Sequence, residues 1–170
     1  MRSLSVAAVL LSVLLVPALA QDYSPPKQIK DLGWMVGAWS GNRKITFGGH
    51  SAEITTEMTI SFDGQFLKEI STDKSAGSTL TKTTMTGWDP EKSQYISYTF
   101  TNMAPTARIA HGKIDGGKLS MVSDPWEAEG FKMVGRETMS KVSDTKCNLV
   151  MELKQGDKWL KEMDFILEKK

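Results

Sequence analysis

Apolar and polar residues alternate along most of the chain after residue 28, with the period of two that is typical of β-strands. The clearest run covers residues 53–62, where Ile54, Met58 and Phe62 share one face and polar residues fill the other. Similar runs recur to the C-terminus, separated by turn signals such as Asp63-Gly64 and Asp89-Pro90. This spacing predicts an antiparallel meander of about ten strands, in which residues 127–140 form one long strand.

Helical spacing occurs in one stretch only, where Ile29, Leu32 and Met35 recur on one side of residues 28–36. Gly37 ends this stretch, and strand alternation begins at once with Trp39. We therefore expect a short N-terminal helix that caps one end of the strand assembly. Trp34 and Trp39 are expected to pack into the base of the assembly, beneath this helix.

About ten strands in one open sheet would leave two unpaired edges, and closure into a barrel removes them. The predicted fold is therefore all-β, an antiparallel up-and-down β-barrel of about ten strands with a short N-terminal capping helix. A β-sandwich is the alternative. A barrel of this size is wide enough to hold an internal cavity.

The first twenty residues have the organisation of a signal peptide. Arg2 supplies the positive charge, residues 4–16 are apolar, and Ala18-Leu19-Ala20 is a cleavage site of small residues. This predicts a signal peptide over 1–20, a linker over 21–27 and the barrel domain over 28–170. The mature chain is expected to be exported, periplasmic or extracellular, without a membrane span; a retained signal anchor is the alternative.

Composition argues against several kinds of chemistry. The chain has 21 basic and 20 acidic residues, interspersed, which does not favour a nucleic-acid partner. Cys147 is the single cysteine, so no intramolecular disulfide is possible, and we expect it to be a small buried apolar residue. The two histidines, His50 and His111, form no metal-binding pattern, and no nucleophile elbow or phosphate loop is present. We therefore predict no metal and no cofactor, and leave enzymatic activity open, leaning against it.

Four segments carry a family resemblance: residues 32–41, which end in Gly37-x-Trp39-x-Gly41, residues 62–67, residues 87–95 and the final strand, which ends in charged residues. In their order and spacing they resemble a family of uncharacterised, exported, mostly bacterial domains of unknown function with a calycin-like barrel. The calycins include lipocalins, fatty-acid-binding proteins and nitrobindins, and the resemblance implies a small-molecule-binding lumen. Nitrobindin-like members ligate haem through a histidine on a late strand. Since no histidine follows His111, the resemblance does not extend to haem here.

Strand faces and polar residues at strand centres give the candidate ligand-binding residues. Arg136 and Glu137 are adjacent, so a regular strand points only one of them inward. The full set is Met58, Tyr98, Arg108, His111, Met133, Arg136 and Glu137.

The expected function is that of an exported barrel that binds a small apolar or amphipathic molecule in its lumen, as a monomer or homodimer. One alternative is a small barrel enzyme that uses His111 or Glu137 as an acid or base. Another is an envelope interaction module that binds a protein through loops such as Asn102–Pro105 or Asp124–Trp126, which an exposed Trp126 would favour.

Overall fold

The structure is a computed structural model that describes residues 23–47, 50–128 and 131–170. The predicted signal peptide and the turn at residues 48–49 lie outside the described residues. Among the described residues, no helix has the length and apolar character that crossing a membrane requires.

Ten strands form a closed antiparallel barrel, which confirms the predicted fold. A short helix, α1 (Lys27–Lys30), and a 3-10 turn (Gly33–Met35) precede the first strand. The strands are β1 (Gly37–Phe47), β2 (His50–Asp63), β3 (Phe66–Ser75), β4 (Ser78–Asp89), β5 (Gln94–Thr101), β6 (Ala104–Asp115), β7 (Lys118–Ser123), β8 (Trp126–Ala128), β9 (Phe131–Met133), β10 (Gly135–Lys141), β11 (Lys146–Gln155) and β12 (Lys158–Lys169). In chain order around the barrel, β1 to β7 are followed by β10, β11 and β12, and β12 pairs back with β1.

The prediction of one long strand over residues 127–140 is wrong. Strands β8 and β9 pair antiparallel as a separate hairpin, in which Trp126 opposes Met133, and only β10 joins the barrel. Both arms of a hairpin alternate with a period of two, so the apolar pattern continues across the reversal and hides it. We call residues 124–128 and 131–134 the mouth hairpin, because β8 and β9 lie outside the barrel wall and follow β7 at the end opposite α1.

The helical segment closes the other end of the barrel, as predicted. Ile29 and Leu32 are fully buried, and Met35 and Trp39 are buried almost completely. The indole Nε1 of Trp39 donates a hydrogen bond to the backbone oxygen of Met35 at 2.7 Å. This bond ties the 3-10 turn to the first strand.

The seam between the first and last strands explains the spacing Gly37-x-Trp39-x-Gly41. Gly37 has φ = 141°, a conformation that side chains disfavour. A Cβ on Gly41 would lie 2.5 Å from the backbone oxygen of Ile166, so only glycine lets β12 approach this closely. Trp39 lies between the two glycines and pairs with Lys169 across the seam, and the Lys169 Nζ sits 5.2 Å from its ring centroid.

Replacing Trp39 with alanine should lower the free energy of unfolding by about 3–5 kcal/mol, because the ring is a large buried core side chain with a buried hydrogen bond. Thermal and urea denaturation monitored by circular dichroism measure this loss. Tyr98→Ala, which truncates an aromatic ring that is 41% exposed, is the control. Wild-type melting of Trp39→Ala would contradict the assignment of this residue as the plug of the barrel.

Candidate functional site

The barrel interior contains two neighbouring spaces. At the end opposite α1 lies an open bowl of about 950 Å³, and further inside lies a chamber of about 60 Å³. The two spaces share four lining residues, and we call the boundary that these residues mark the neck: Lys82, Thr99, Arg108 and Met151. A small molecule that enters from the bowl would meet the neck before the chamber.

The inner face of strands β3 to β6 forms a polar wall. Cross-strand register places Glu69 beside Thr84, Thr84 beside Thr99, and Thr99 beside Arg108, in one row across four strands. The hydroxyls of Thr84 and Thr99 lie 3.0 Å apart within this row. The next row towards α1 adds Thr86 and Ser97 to the lining of the chamber.

The inner face of strands β10 to β12 forms an apolar wall opposite the polar one. Glu137 interrupts it, and register places this carboxylate between Met121 on β7 and Met151 on β11. The lumen thus has one hydrogen-bonding side and one thioether-rich side. The apolar wall comprises Met139, Leu149, Met151, Met163 and Phe165.

A buried ion pair braces the polar wall near the bowl. Arg43 on β1 reaches both carboxylate oxygens of Asp73, at 3.1 and 3.3 Å, and both side chains are less than a tenth exposed. Thr56 donates a further hydrogen bond to Asp73 at 2.7 Å, and the Lys82 Nζ lies 3.7 Å away. Burial of Asp73 opposes its ionisation, but the hydrogen bond from Arg43 and the charge of Lys82 prevail and hold its pKa below the ordinary value.

Glu69 is a half-buried acid of the lumen, and it lines the chamber. Burial raises the pKa of Glu69, and the charge of Glu137 adds to this effect, whereas Lys82 and a 3.1 Å hydrogen bond from Ser71 oppose it. The chamber therefore holds a carboxyl group that retains its proton more readily than a carboxyl in water.

Of the predicted site residues, Arg108 and Glu137 line the lumen. Arg136 borders the chamber, but its guanidinium binds Glu152 at 2.6 Å and lies 4.5 Å from the Trp159 ring centroid. Its charge is therefore already compensated by the protein.

The other predicted residues lie away from the chamber. His111 is on the outer face of β6, where it contacts Gln94 at 3.2 Å and Asp124 at 3.5 Å. Tyr98 is also on the outside, whereas Met58 is buried in the core that packs against the capping segment. Met133 lies in the mouth hairpin opposite Trp126.

Sequence reasoning missed four charged lumen residues: Arg43, Glu69, Asp73 and Lys82. A signal for two of them was present in the alternation. Arg43 shares the face of Trp39, and Glu69 shares the face of Leu67, so each lies in register with residues that are buried. A charge on the apolar face of a strand marks an interior polar site.

The mouth hairpin places an aromatic ring beside the polar wall. The guanidinium carbon of Arg108 lies 5.4 Å from the centroid of the half-buried Trp126 ring. A Cβ on Gly135 would lie 3.0 Å from the Trp126 ring, so the glycine at the start of β10 makes room for the indole. Trp126 is thus held at the rim of the bowl rather than exposed in an outer apolar patch.

The part of the chain that the structure describes has no metal-binding arrangement of side chains. Within it, no group of three or more histidine, cysteine, aspartate or glutamate side chains is arranged to hold a metal ion. What the lumen offers is hydrogen bonds, fixed charges and an apolar surface.

The fold and its interior define a ten-stranded closed barrel with a two-sided lumen. The profile of DUF1579, described as a protein of unknown function, matches residues 24–169, and the chain belongs to this family. The crystal structure of Rv2717c from M. tuberculosis is similar in fold, with a TM-score of 0.60 over 86% of this chain and 99% of that one, at 10% sequence identity. No curated protein matches the chain.

Replacing Glu69 with glutamine should change how stability depends on pH. Because the folded state binds the Glu69 proton more tightly than the unfolded state, the free energy of unfolding contributed by this group falls as pH rises from near 4.5 through the raised pKa. Glu69→Gln should therefore gain stability over the wild type as pH increases across this window. Urea denaturation between about pH 4 and pH 8 measures the difference. Glu91→Gln, in an exposed turn, is the control, and parallel profiles for Glu69→Gln and wild type would refute the assignment.

Cys147 should be unreactive in the folded protein. Its side chain is 1% exposed, and burial together with the charge of Glu69 raises the pKa of the thiol to about 11. At about pH 8, a chromogenic disulfide reagent should label native protein only on the timescale of unfolding, and denatured protein at once. Rapid labelling under native conditions would contradict this placement; Cys147→Ala gives the background.

Proposed function

We propose that this protein is a non-catalytic exported barrel that binds a small amphipathic molecule in its lumen. The observation that carries the proposal is the division of the interior into a polar wall on β3 to β6 and an apolar wall on β10 to β12. A purely apolar ligand would leave the hydroxyls and charges of the polar wall without partners, at a cost in desolvation. A molecule with one polar edge and one apolar face satisfies both walls.

The volumes support a ligand of modest size in the bowl. At about 950 Å³, the bowl falls in the range that proteins use to enclose small molecules. The chamber, at about 60 Å³, has room for a few water molecules or one small polar substituent. We infer that the body of the ligand sits in the bowl and that only its tip reaches past the neck.

Export is the second part of the proposal. It is supported by Arg2, the apolar run over residues 4–16 and the small residues Ala18-Leu19-Ala20, the organisation of a cleavable signal peptide. Binding in an extracytoplasmic compartment would make the protein a carrier or scavenger of its ligand.

A second candidate function is acid–base catalysis inside the chamber. It is favoured by one observation: Glu69 and Glu137 line the same small space, and the environment of Glu69 raises its pKa. His111, the other residue that the sequence suggests for this role, lies on the outer face of β6. The alternative function, an envelope module that binds a protein through its loops, lacks the exposed Trp126 that would favour it. The Trp126 ring is half-buried against Arg108 and Gly135.

Lumen binding can be tested with N-phenyl-1-naphthylamine, a neutral probe whose fluorescence rises in apolar surroundings. The mature wild-type chain should bind it with a single saturable site. Thr99→Phe, which fills the neck, should weaken binding by about tenfold or more, equivalent to about 1.4 kcal/mol.

Thr83→Phe is the matched control, because Thr83 pairs with the exposed residues Ile70 and Phe100 on the outer face of the barrel. This variant should bind the probe as the wild type does. No saturable binding to the folded wild type, or equal weakening in both variants, would refute binding in the lumen.

A further inference from the structure

We propose that the polar group of the ligand is an anion, bound at the neck by Arg108 together with Lys82, beside the Trp126 ring. This inference rests on the proposed lumen-binding function and adds the chemical class of the ligand: a small amphipathic carboxylate, sulfonate or phosphate monoester.

Arg108 is a lumen cation whose charge no described carboxylate offsets at contact distance. It lies at the end of the polar row and lines both the bowl and the chamber. Among the described residues, no carboxylate lies within 4 Å of its guanidinium, whereas Arg43 and Arg136 each bind an acid at 3.1 Å or closer. A half-buried guanidinium has lost part of its hydration, and an anionic ligand would offset that loss with charge-assisted hydrogen bonds.

The balance of charge around the bowl also favours an anion. Four bases and two acids line it, and Asp73 is already held by Arg43. The remaining acid, Glu127, stands opposite Lys132 in the mouth hairpin, and Lys82 lies 3.7 Å from Asp73, so Arg108 contributes most of the positive potential at the neck and Lys82 adds to it. The six charged residues that line the bowl are Arg43, Asp73, Lys82, Arg108, Glu127 and Lys132.

A deeper carboxylate, that of Glu137, sets the depth at which the anion stops. Glu137 lines the chamber beyond the neck and would repel a negative group that entered it. The hydroxyl-bearing Thr99 lines the neck beside Arg108 and offers a further donor. The anion is therefore placed at the neck, between the arginine and the mouth of the chamber.

The apolar part of the ligand has surface within reach of this position. Met151 and Met163 line the bowl on the side of the apolar wall, and the Trp126 ring lines it beside Arg108. Thioethers adapt to ligands of irregular shape, and an indole offers a flat face to an aromatic or alkyl group. A planar or short-chain body that carries one negative group fits this arrangement.

A matched pair of fluorescent probes tests the inference. Anilinonaphthalene-8-sulfonate and N-phenyl-1-naphthylamine share one ring system and differ by the sulfonate, so the ratio of their Kd values isolates the contribution of the negative group. The mature wild-type chain should bind the sulfonate about tenfold or more tightly than the neutral probe, and the two should compete for one site.

Arg108→Gln should bring this ratio close to one, because it removes the charge-assisted hydrogen bonds that only the sulfonate can accept. Arg108→Lys should retain part of the preference, since it keeps the charge but not the planar fork. Lys92→Gln, in the exposed turn between β4 and β5 at the capped end, removes the same charge far from the bowl and should change nothing.

The possible outcomes separate the two proposals. If neither probe binds the folded chain, the proposed function fails. If both bind and Thr99→Phe weakens both, but the ratio is near one or is unchanged in Arg108→Gln, lumen binding stands and the anion site is refuted. If Arg108→Gln does not fold, the wild type alone tests the anion site. Added salt should reduce the preference of the wild type for the sulfonate over the neutral probe. A preference that does not change with salt overturns the proposal.

Discussion

Closure of the barrel between its first and last strands is the constraint on which the rest of the structure depends. β1 pairs with β2 over its full length, but the register with β12 covers only Trp39 with Lys169 and Ser40 with Glu168. So short a ladder needs close approach and lateral packing, which Gly41 and the buried Trp39 provide. Without this seam the sheet would have two free edges and no enclosed lumen.

The two-sided lumen follows from closure combined with strand alternation. Every strand must send alternate side chains inward, and this chain sends mainly hydroxyls and charges inward from one half of the circumference and mainly thioethers and hydrocarbons from the other. Enclosing the polar wall removes water from its charged groups, which is unfavourable. The Arg43–Asp73 ion pair offsets part of this desolvation through its hydrogen bonds and through the hydrogen bond from Thr56 to Asp73. The charges left over at the neck are those that a ligand would recognise.

Local patterns in the sequence predicted the strands, their number and the capping helix, because alternation and turn residues act over a few positions. Ile29, Leu32 and Met35 are buried where their helical spacing placed them. The mouth hairpin was missed, since alternation continues through it. The lumen site was predicted only in part. Arg108 and Glu137 face the lumen, but the other charged lumen residues were missed. The pattern within one strand shows which of its residues share a face, but it does not show which distant strands face it across the barrel.

The seam also bears on the order in which this chain can fold. Its two partners stand at opposite ends of the sequence, and the last residue, Lys170, still donates a backbone hydrogen bond to the oxygen of Ala38. Hairpins such as β6–β7 can form as soon as they are synthesised, but the ring cannot shut until the final strand has arrived. Until that moment β1 has an unpaired edge, which is the surface through which an unfinished barrel aggregates or is recognised by a chaperone.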